Sequence, residues 1–488
     1  MSTEVHDRRR WYALAVVMTA SLMDLVDVTI VNIAMPSIRE DTGASFSALQ
    51  WITAGYALAF AVGLITGGRL GDIYGRKRLF LLGIAGFTVA SALCGLAGSP
   101  GLLVAARVLQ GATAALMVPQ VLSIIHAGFP AHERGKVFGL FGAMVGLGAV
   151  LGPLLGALLT EWDLFGLQWR PIFLVNLPVG VAGLVLGRRF IEESRAPKAL
   201  KLDLVGMVLV AAGLLMVLYP LTEGRENGWP LWGWVMMAGG LAVLVAFVAY
   251  ERVKTARDGS PLVELSLFRV RSFAGGIGVQ LLFGTVNGLF FLVWTLYLQL
   301  GLGWSPLKAG LTGVPFSIAV SLAAGLSVQQ LVPRFGRRVL QAGALVDAVG
   351  ALLYLAAAEH WGAGIQPWQM ALPLIVMGLG MGLIVAPLTD AVLSQVPREH
   401  AGSASGLINT TGQLGVALGL GLSSVAFFGV VDREGPVDGV FLHAFTHALG
   451  WVATGLLAVF ALMAALPRRS PQAEPAGAAE QQEPALVG

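Results

Sequence analysis

Apolar residues run in blocks of about twenty along the chain, and polar residues gather in the short stretches between them. A hydrocarbon layer about 30 Å thick is crossed by roughly 20 helical residues. Fourteen blocks reach that length, at 11–33, 48–68, 79–98, 101–128, 137–160, 170–187, 203–221, 229–250, 273–300, 309–331, 339–358, 368–394, 402–431 and 441–466. Each predicts a membrane-spanning helix. The stretch after Leu466, "PRRSPQAEPAGAAEQQEPALVG", has no such block and reads as a disordered tail over 467–488.

The distribution of basic residues orients these helices. With the amino terminus placed inside, 25 of the 31 Lys and Arg fall in inner segments. Only Arg39, Arg170, Arg225, Lys308 and Arg433 fall outside, and Arg107 lies within a span. Positive charge collects in cytoplasmic loops, so both termini are expected in the cytoplasm. Arg8, Arg9 and Arg10 precede a full-length span without a small-residue cleavage site, so the first helix is expected to stay as an anchor.

Two inner turns are related, "GGRLGDIYGRKR" at 67–78 and "QLVPRFGRR" at 330–338. Aligning Gly75-Arg76-Lys77 with Gly336-Arg337-Arg338 predicts two related halves with an insertion between them. The expected units are a six-helix bundle at 1–190, two inserted helices with linkers at 191–265, a second six-helix bundle at 266–466, and the tail. Repeated halves place substrate sites at their interface.

Composition agrees with the pattern: 56% hydrophobic and 12% charged residues, with 64 glycines, against about 25% charged in soluble domains. The formal charge of +3 follows from the loop bias and calls for no nucleic-acid partner. One cysteine, Cys94, excludes an intramolecular disulfide and a cysteine metal cluster. Seven histidines are scattered, no nucleophile triad or metal constellation is apparent, and no Gly-x-x-x-x-Gly-Lys-Ser/Thr loop is present. A membrane enzyme or receptor is therefore disfavoured, no cofactor is expected, and ATP is not the expected energy source.

Three motifs carry chemistry. In "GRLGDIYGRKR", which Gly68 opens, Gly71 and Gly75 permit a tight reversal, while Asp72 among Arg76 and Lys77 offers a charged latch that can open and close. Glu133 and Arg134 in the next inner loop are placed with that latch. In the second copy Pro333 stands where Asp72 stands, so the latch is expected in one half only. Arg107 in "RVLQG" sits inside the fourth span, where an arginine costs roughly 2.5–3.5 kcal/mol unless it faces protein or water, so it needs a partner. Gly148, Gly152 and Gly156, with Pro153, share one face of the fifth span and permit close helix approach.

These segments resemble the loop signature, the Arg-x-x-x-Gly element and the Gly-x-x-x-Gly-Pro-x-x-Gly antiporter motif of the major facilitator superfamily. "DVTIVNIAMP", "QWITAGYALA", "WRPIFLVNLPVG", "YLQLGLGWSPLKAGL" and "AGSASGLINTTGQLG" are similar to its 14-helix drug:proton antiporters. The resemblance implies an all-α membrane protein with the major facilitator fold. It implies export of hydrophobic or cationic compounds across the cytoplasmic membrane in exchange for protons, by a monomer in the lipid bilayer. Export of an endogenous metabolite or lipid by the same mechanism is the alternative.

Carboxylates within spans are few. Asp24 and Asp27 lie about 60° apart on one helical face, and two carboxylates so close in a low-dielectric setting resist ionising together, while a nearby Arg107 favours the charged form. They are expected to face the cavity and to couple transport to protons. Asp27 matches the acidic position of the family motif, whereas Asp24 is an addition. Asp347, in the eleventh span, is a further proton or cation candidate. Polar and aromatic residues that could line a cavity are Trp51, Tyr56, Asn176, Gln280, Asn287, Trp294, Tyr297, Gln299, Asn409 and Gln413.

Overall fold

The computed structural model describes residues 2–195, 201–393, 396, 401–435 and 437–465; side chains over much of 131–150 and the expected tail at 467–488 lie outside the described residues. Fourteen helices follow one another: α1 (Ser2–Thr42), α2 (Phe46–Tyr74), α3 (Arg76–Gly95), α4 (Pro100–Gly128), α5 (Ala131–Glu161), α6 (Pro171–Phe190), α7 (Leu204–Glu223), α8 (Leu231–Asp258), α9 (Arg271–Gly301), α10 (Pro306–Phe335), α11 (Arg338–Trp361), α12 (Pro367–Leu393), α13 (Ala401–Ala426, continued by Phe428–Glu434) and α14 (Val440–Leu462). Among the described residues there is no strand. Thirteen of these helices are long and apolar enough to cross a membrane by their described residues, and α5 spans 31 residues. The protein is a multi-pass membrane protein.

Local signals set the helix ends. Ser45, Ser99 and Ser305 cap α2, α4 and α10 by accepting from the backbone N–H groups of Ala48, Leu102 and Lys308. Pro100 and Pro306 start their helices, where a missing N–H costs nothing. Gly75 (φ 116°) and Gly336 (φ 58°) end α2 and α10 in a region that L side chains avoid, so the two related turns break their helices in the same way.

Packing repeats. Within the first six helices α2 packs on α4, α3 on α4, α1 on α5, α1 on α6 and α3 on α6. Adding eight to each number gives the packing of the last six: α10 on α12, α11 on α12, α9 on α13, α9 on α14 and α11 on α14. The two sets meet through α2 against α13 and α5 against α10. The inserted helices α7 and α8 pack on each other, and α7 touches α2 and α13. Only 22% and 17% of their apolar windows are buried, so most of their surface is left for lipid.

Candidate functional site

A polar knot joins α1, α3, α4 and α6 in the middle of the first set. Asp27 is fully buried and accepts three side-chain hydrogen bonds: from Arg107 Nη1 at 2.5 Å, Gln110 Nε2 at 2.8 Å and Asn176 Nδ2 at 2.7 Å. Arg107 is also fully buried. Its Nε donates to the carbonyl of Ile52 at 3.1 Å, its Nη1 also donates to Gln110 Oε1 at 2.6 Å, and its Nη2 has no partner. Ser91 Oγ accepts from Gln110 at 2.8 Å and from Asn176 at 3.1 Å. A buried arginine is tolerable on such terms, because a carboxylate and several neutral dipoles replace its water.

Asp24 sits one turn earlier on α1, 7% exposed, and accepts from the Tyr56 hydroxyl at 2.5 Å. The Arg107 guanidinium lies 4.3 Å from the centre of the Tyr56 ring and 5.7 Å from that of Phe173. Tyr56 therefore touches both acids' systems, with its hydroxyl on Asp24 and its ring under the cation that holds Asp27.

The glycines of α5 bring α1 close. A Cβ on Gly148 would lie 3.2 Å from Leu25, one on Gly152 would collide with Thr29 Oγ1, and one on Gly156 would lie 2.9 Å from Ile30. The stripe thus packs on the α1 segment that carries Asp24 and Asp27. Pro153 and Ala157 of the same helix face α10, where a Cβ on Gly310 would lie 3.1 Å from the Pro153 carbonyl.

At the Gly75 turn, Asp72 pairs with Arg76 at 2.9 Å. The Lys77 side chain donates to the carbonyl of Arg188 at 2.8 Å, and Glu193 accepts from the backbone N–H of Lys77 and Arg78 at 3.0 and 3.3 Å. Gly68 faces Pro119 of α4. Glu133 bonds Arg10 of α1 at 2.8 Å rather than a residue of this turn, and the side chain of Arg134 lies outside the described residues.

The remaining sequence candidates are scattered. Trp51 donates to Glu223 at 3.0 Å, and Gln299 donates to the carbonyl of Ile33 at 2.7 Å, beside a cleft of about 600 Å³ that Arg39, Glu40 and Trp304 also line. Trp294 donates to the Tyr354 hydroxyl at 2.8 Å, and Tyr297 stacks on Phe445 with ring centres 4.3 Å apart. Asn287 donates to the carbonyl of Phe283, Gln280 lies against Gly412, Gln413 is half-buried, and Asn409 is exposed. Asp347 is 5% exposed on α11, far from the knot in the fold's other half, with no hydrogen-bond or ion-pair partner among the described residues.

Sequence reasoning missed Gln110, Ser91 and Glu193. Gln110 was findable, since it follows Arg107 by three residues and shares its helix face. Among the described residues no group of His, Cys, Asp and Glu could hold a metal ion.

The family description "Major Facilitator Superfamily" matches residues 17–420. The chain is 47% identical over 427 residues to the "Probable actinorhodin transporter" of Streptomyces coelicolor, covering 87% of this chain and 74% of that one. It is 36% identical over 473 residues to the "Puromycin resistance protein pur8" of Streptomyces alboniger, covering 94% and 91%. Among solved structures, an auto-inhibited POT family peptide transporter superposes with a TM-score of 0.70 at 17% identity, covering 95% and 99%.

Proposed function

The chain belongs to the major facilitator superfamily, and we propose that it exports hydrophobic or cationic small molecules across the cytoplasmic membrane in exchange for protons. The observation that carries this reading is the buried knot around Asp27. A carboxylate, an arginine and three neutral polar side chains at the centre of a lipid-embedded bundle are costly to place there, and intramembrane ionisable groups mark ion and substrate pathways. One relative is described as a probable actinorhodin transporter and another as a puromycin resistance protein, and resistance supports outward transport.

In this reading Asp27 is the charge that Arg107 reads. A proton arriving at Asp27 removes the ion pair and frees the guanidinium, whose Nη2 already lacks a partner. The cation then bears on Tyr56, and through it on Asp24, so that both acids and the α1–α4 contact change together. Coupling follows because proton and substrate bias the same two-state equilibrium. Both termini lie in the cytoplasm, the transporter works as a monomer, and the proton gradient supplies the energy.

The halves are joined at the α1–α2 loop end. Gln50 of α2 donates to Ser423 of α13 at 2.8 Å and accepts from Ser424 at 3.1 Å, and the Phe46 and Phe428 rings lie 4.4 Å apart. At the Gly75 turn, Arg76 and Lys77 take their partners from their own half, and Arg78 pairs with Glu193 just after α6. Such an arrangement is closed at the α1–α2 loop end.

The decisive experiment uses purified protein in vesicles with an imposed pH gradient and a fluorescent cationic substrate. Movement of the dye against its own gradient, collapsed by a protonophore, is the expected result. Failure to move any compound of a broad panel would overturn the antiporter reading. Export of a compound made by the cell itself is the second reading; two relatives' descriptions each name a single compound, actinorhodin and puromycin. A panel that finds one compound moved at least tenfold faster than all others would select it.

A further inference from the structure

Away from the knot, at the Gly75-turn end of the inserted helices, two more carboxyl groups are buried. Asp203 precedes α7 and is 2% exposed; Glu251 lies near the end of α8 and is fully buried. Asp203 Oδ1 accepts from the Gly206 N–H at 2.9 Å and from the Tyr250 hydroxyl at 3.0 Å, and its Oδ2 accepts from the Leu262 N–H at 3.2 Å. Glu251 Oε2 accepts from the Val263 N–H at 2.8 Å, while Oε1 has no donor. That orphan oxygen and Asp203 Oδ2 crowd one point: a Cβ on Gly206 would lie 2.6 Å from Glu251 Oε1 and 2.7 Å from Asp203 Oδ2.

Two cations stand nearby, and neither gives Glu251 Oε1 a hydrogen bond. Lys254 Nζ stands 4.0 Å from Asp203 Oδ1. Arg69 gives its hydrogen bonds to carbonyls, those of Lys201 at 3.1 Å, Ser260 at 3.2 Å and Pro261. Phe247, Leu262 and Val263, with Ile65, Met207 and Val210 packed against them, cover the place with apolar surface. Two facing acceptors in such a setting repel unless one is protonated, and a buried acceptor without a donor costs about 1–3 kcal/mol. A hydroxyl on Glu251 donating to Asp203 cures both defects.

We propose that Asp203 and Glu251 bind one proton between them, a proton site separate from the Asp27 knot, whose occupancy holds the 260–263 strap between α8 and α9 against Arg69 of α2. The strap is anchored from both sides. Its Leu262 and Val263 N–H groups enter the two carboxyls, and its Ser260 and Pro261 carbonyls accept from Arg69. Burial works against a charge on Asp203, but the Gly206 N–H, the Glu251 bond, the Tyr250 hydroxyl and Lys254 outweigh it and hold that carboxyl below the usual range. The proton therefore resides on Glu251.

The sign follows from linkage. The shared proton is bound in the folded pair and not required in the open strap, so the strap is held at low pH and loosens as rising pH removes the proton. The site binds a proton whatever substrate the transporter moves, so its test is independent of that reading.

Infrared titration and hydrogen exchange on the full chain in lipid nanodiscs decide the matter. The wild type should show a protonated-carboxyl stretch that Glu251→Gln removes and Asp27→Asn leaves in place. Peptides containing Leu262 and Val263 should lose protection at alkaline pH beyond the intrinsic rise in exchange, and Glu251→Gln, which donates permanently, should keep it. An unchanged carboxyl stretch in Glu251→Gln, or the same pH profile of protection in both proteins, would overturn the proposal. Asp203→Asn serves equally if Glu251→Gln does not accumulate, since either amide removes the need for a shared proton.

Discussion

Replacing Asp27 by Asn separates the two things this side chain does. It keeps the shape and one acceptor for Gln110 and Asn176, but takes from buried Arg107 the carboxylate bonded to it. Removing one partner of such a pair costs about 3–5 kcal/mol, so Asp27→Asn should lower the melting temperature and abolish uphill transport. Adding Arg107→Gln should restore most of the stability and none of the coupling. Thermal unfolding and pH-driven vesicle assays on both variants check this, and gradient-driven transport by either one would remove Asp27 from the mechanism. At this scale the charged members of the knot were legible in the sequence, because a lone Asp or Arg in an apolar run demands a partner. Of the neutral members, Asn176 was named and Gln110 lay within reach of Arg107's helix face, but Ser91 looks like any polar residue in a helix until Gln110 and Asn176 are seen to bond it. Glu193 was hidden for a different reason, since more than a hundred residues separate it from the backbone amides it accepts.

A helix transmits more than its side chains. The α5 stripe was read as a packing face, and the structure adds what it packs on: the stretch of α1 from Leu22 to Ile30 that brackets both acids. Gly152→Ala drives a Cβ into Thr29, whose hydroxyl bonds the carbonyls of Leu25 and Val26. The strain cannot be relieved by a rotamer change alone, so α1 and α5 must part. Overpacking of this kind costs about 1–3 kcal/mol, and Gly152→Ala should reduce transport by at least tenfold with a measurable loss of melting temperature. Thr29→Ala on the same chain should recover part of both. A double-mutant cycle gives the answer, and strictly additive effects would place the cause elsewhere. The Gly75 turn makes the opposite case. Asp72 and Arg76 are both partly exposed, so their pair adds at most about 1 kcal/mol to stability. Asp72→Asn should therefore leave the melting temperature nearly unchanged while slowing turnover, read as a fall in kcat at constant KM; a raised KM with normal kcat would contradict a latch.

At the scale of the whole molecule, the paired turns in the sequence led to the paired bundles, but nothing in it disclosed where the bundles touch. Their contacts are made by neutral groups of ordinary type, Gln50 with Ser423 and Ser424, Gln299 with a backbone carbonyl, and Phe46 with Phe428. The connection between α7 and α8 joins the same end. Glu226 accepts from Ser47 of α2 at 2.9 and 3.0 Å, Glu223 accepts from Trp51 of α2, and Arg225 pairs with Asp432 in the continuation of α13 at 2.6 Å. Alternating access requires all of these to part, because a cavity cannot open on that side while α2 and α13 remain bonded. The single native cysteine allows a direct test. With Cys94 replaced by Ala, cysteines at Gln50 and Ser423 should be joined by a short bifunctional thiol reagent. Transport should stop on cross-linking and return when a cleavable linker is reduced. The same pair in an Arg225→Ala background should cross-link more slowly, since the clamp that keeps this end shut has been weakened. Full transport by the cross-linked protein would mean that the halves do not separate here at all.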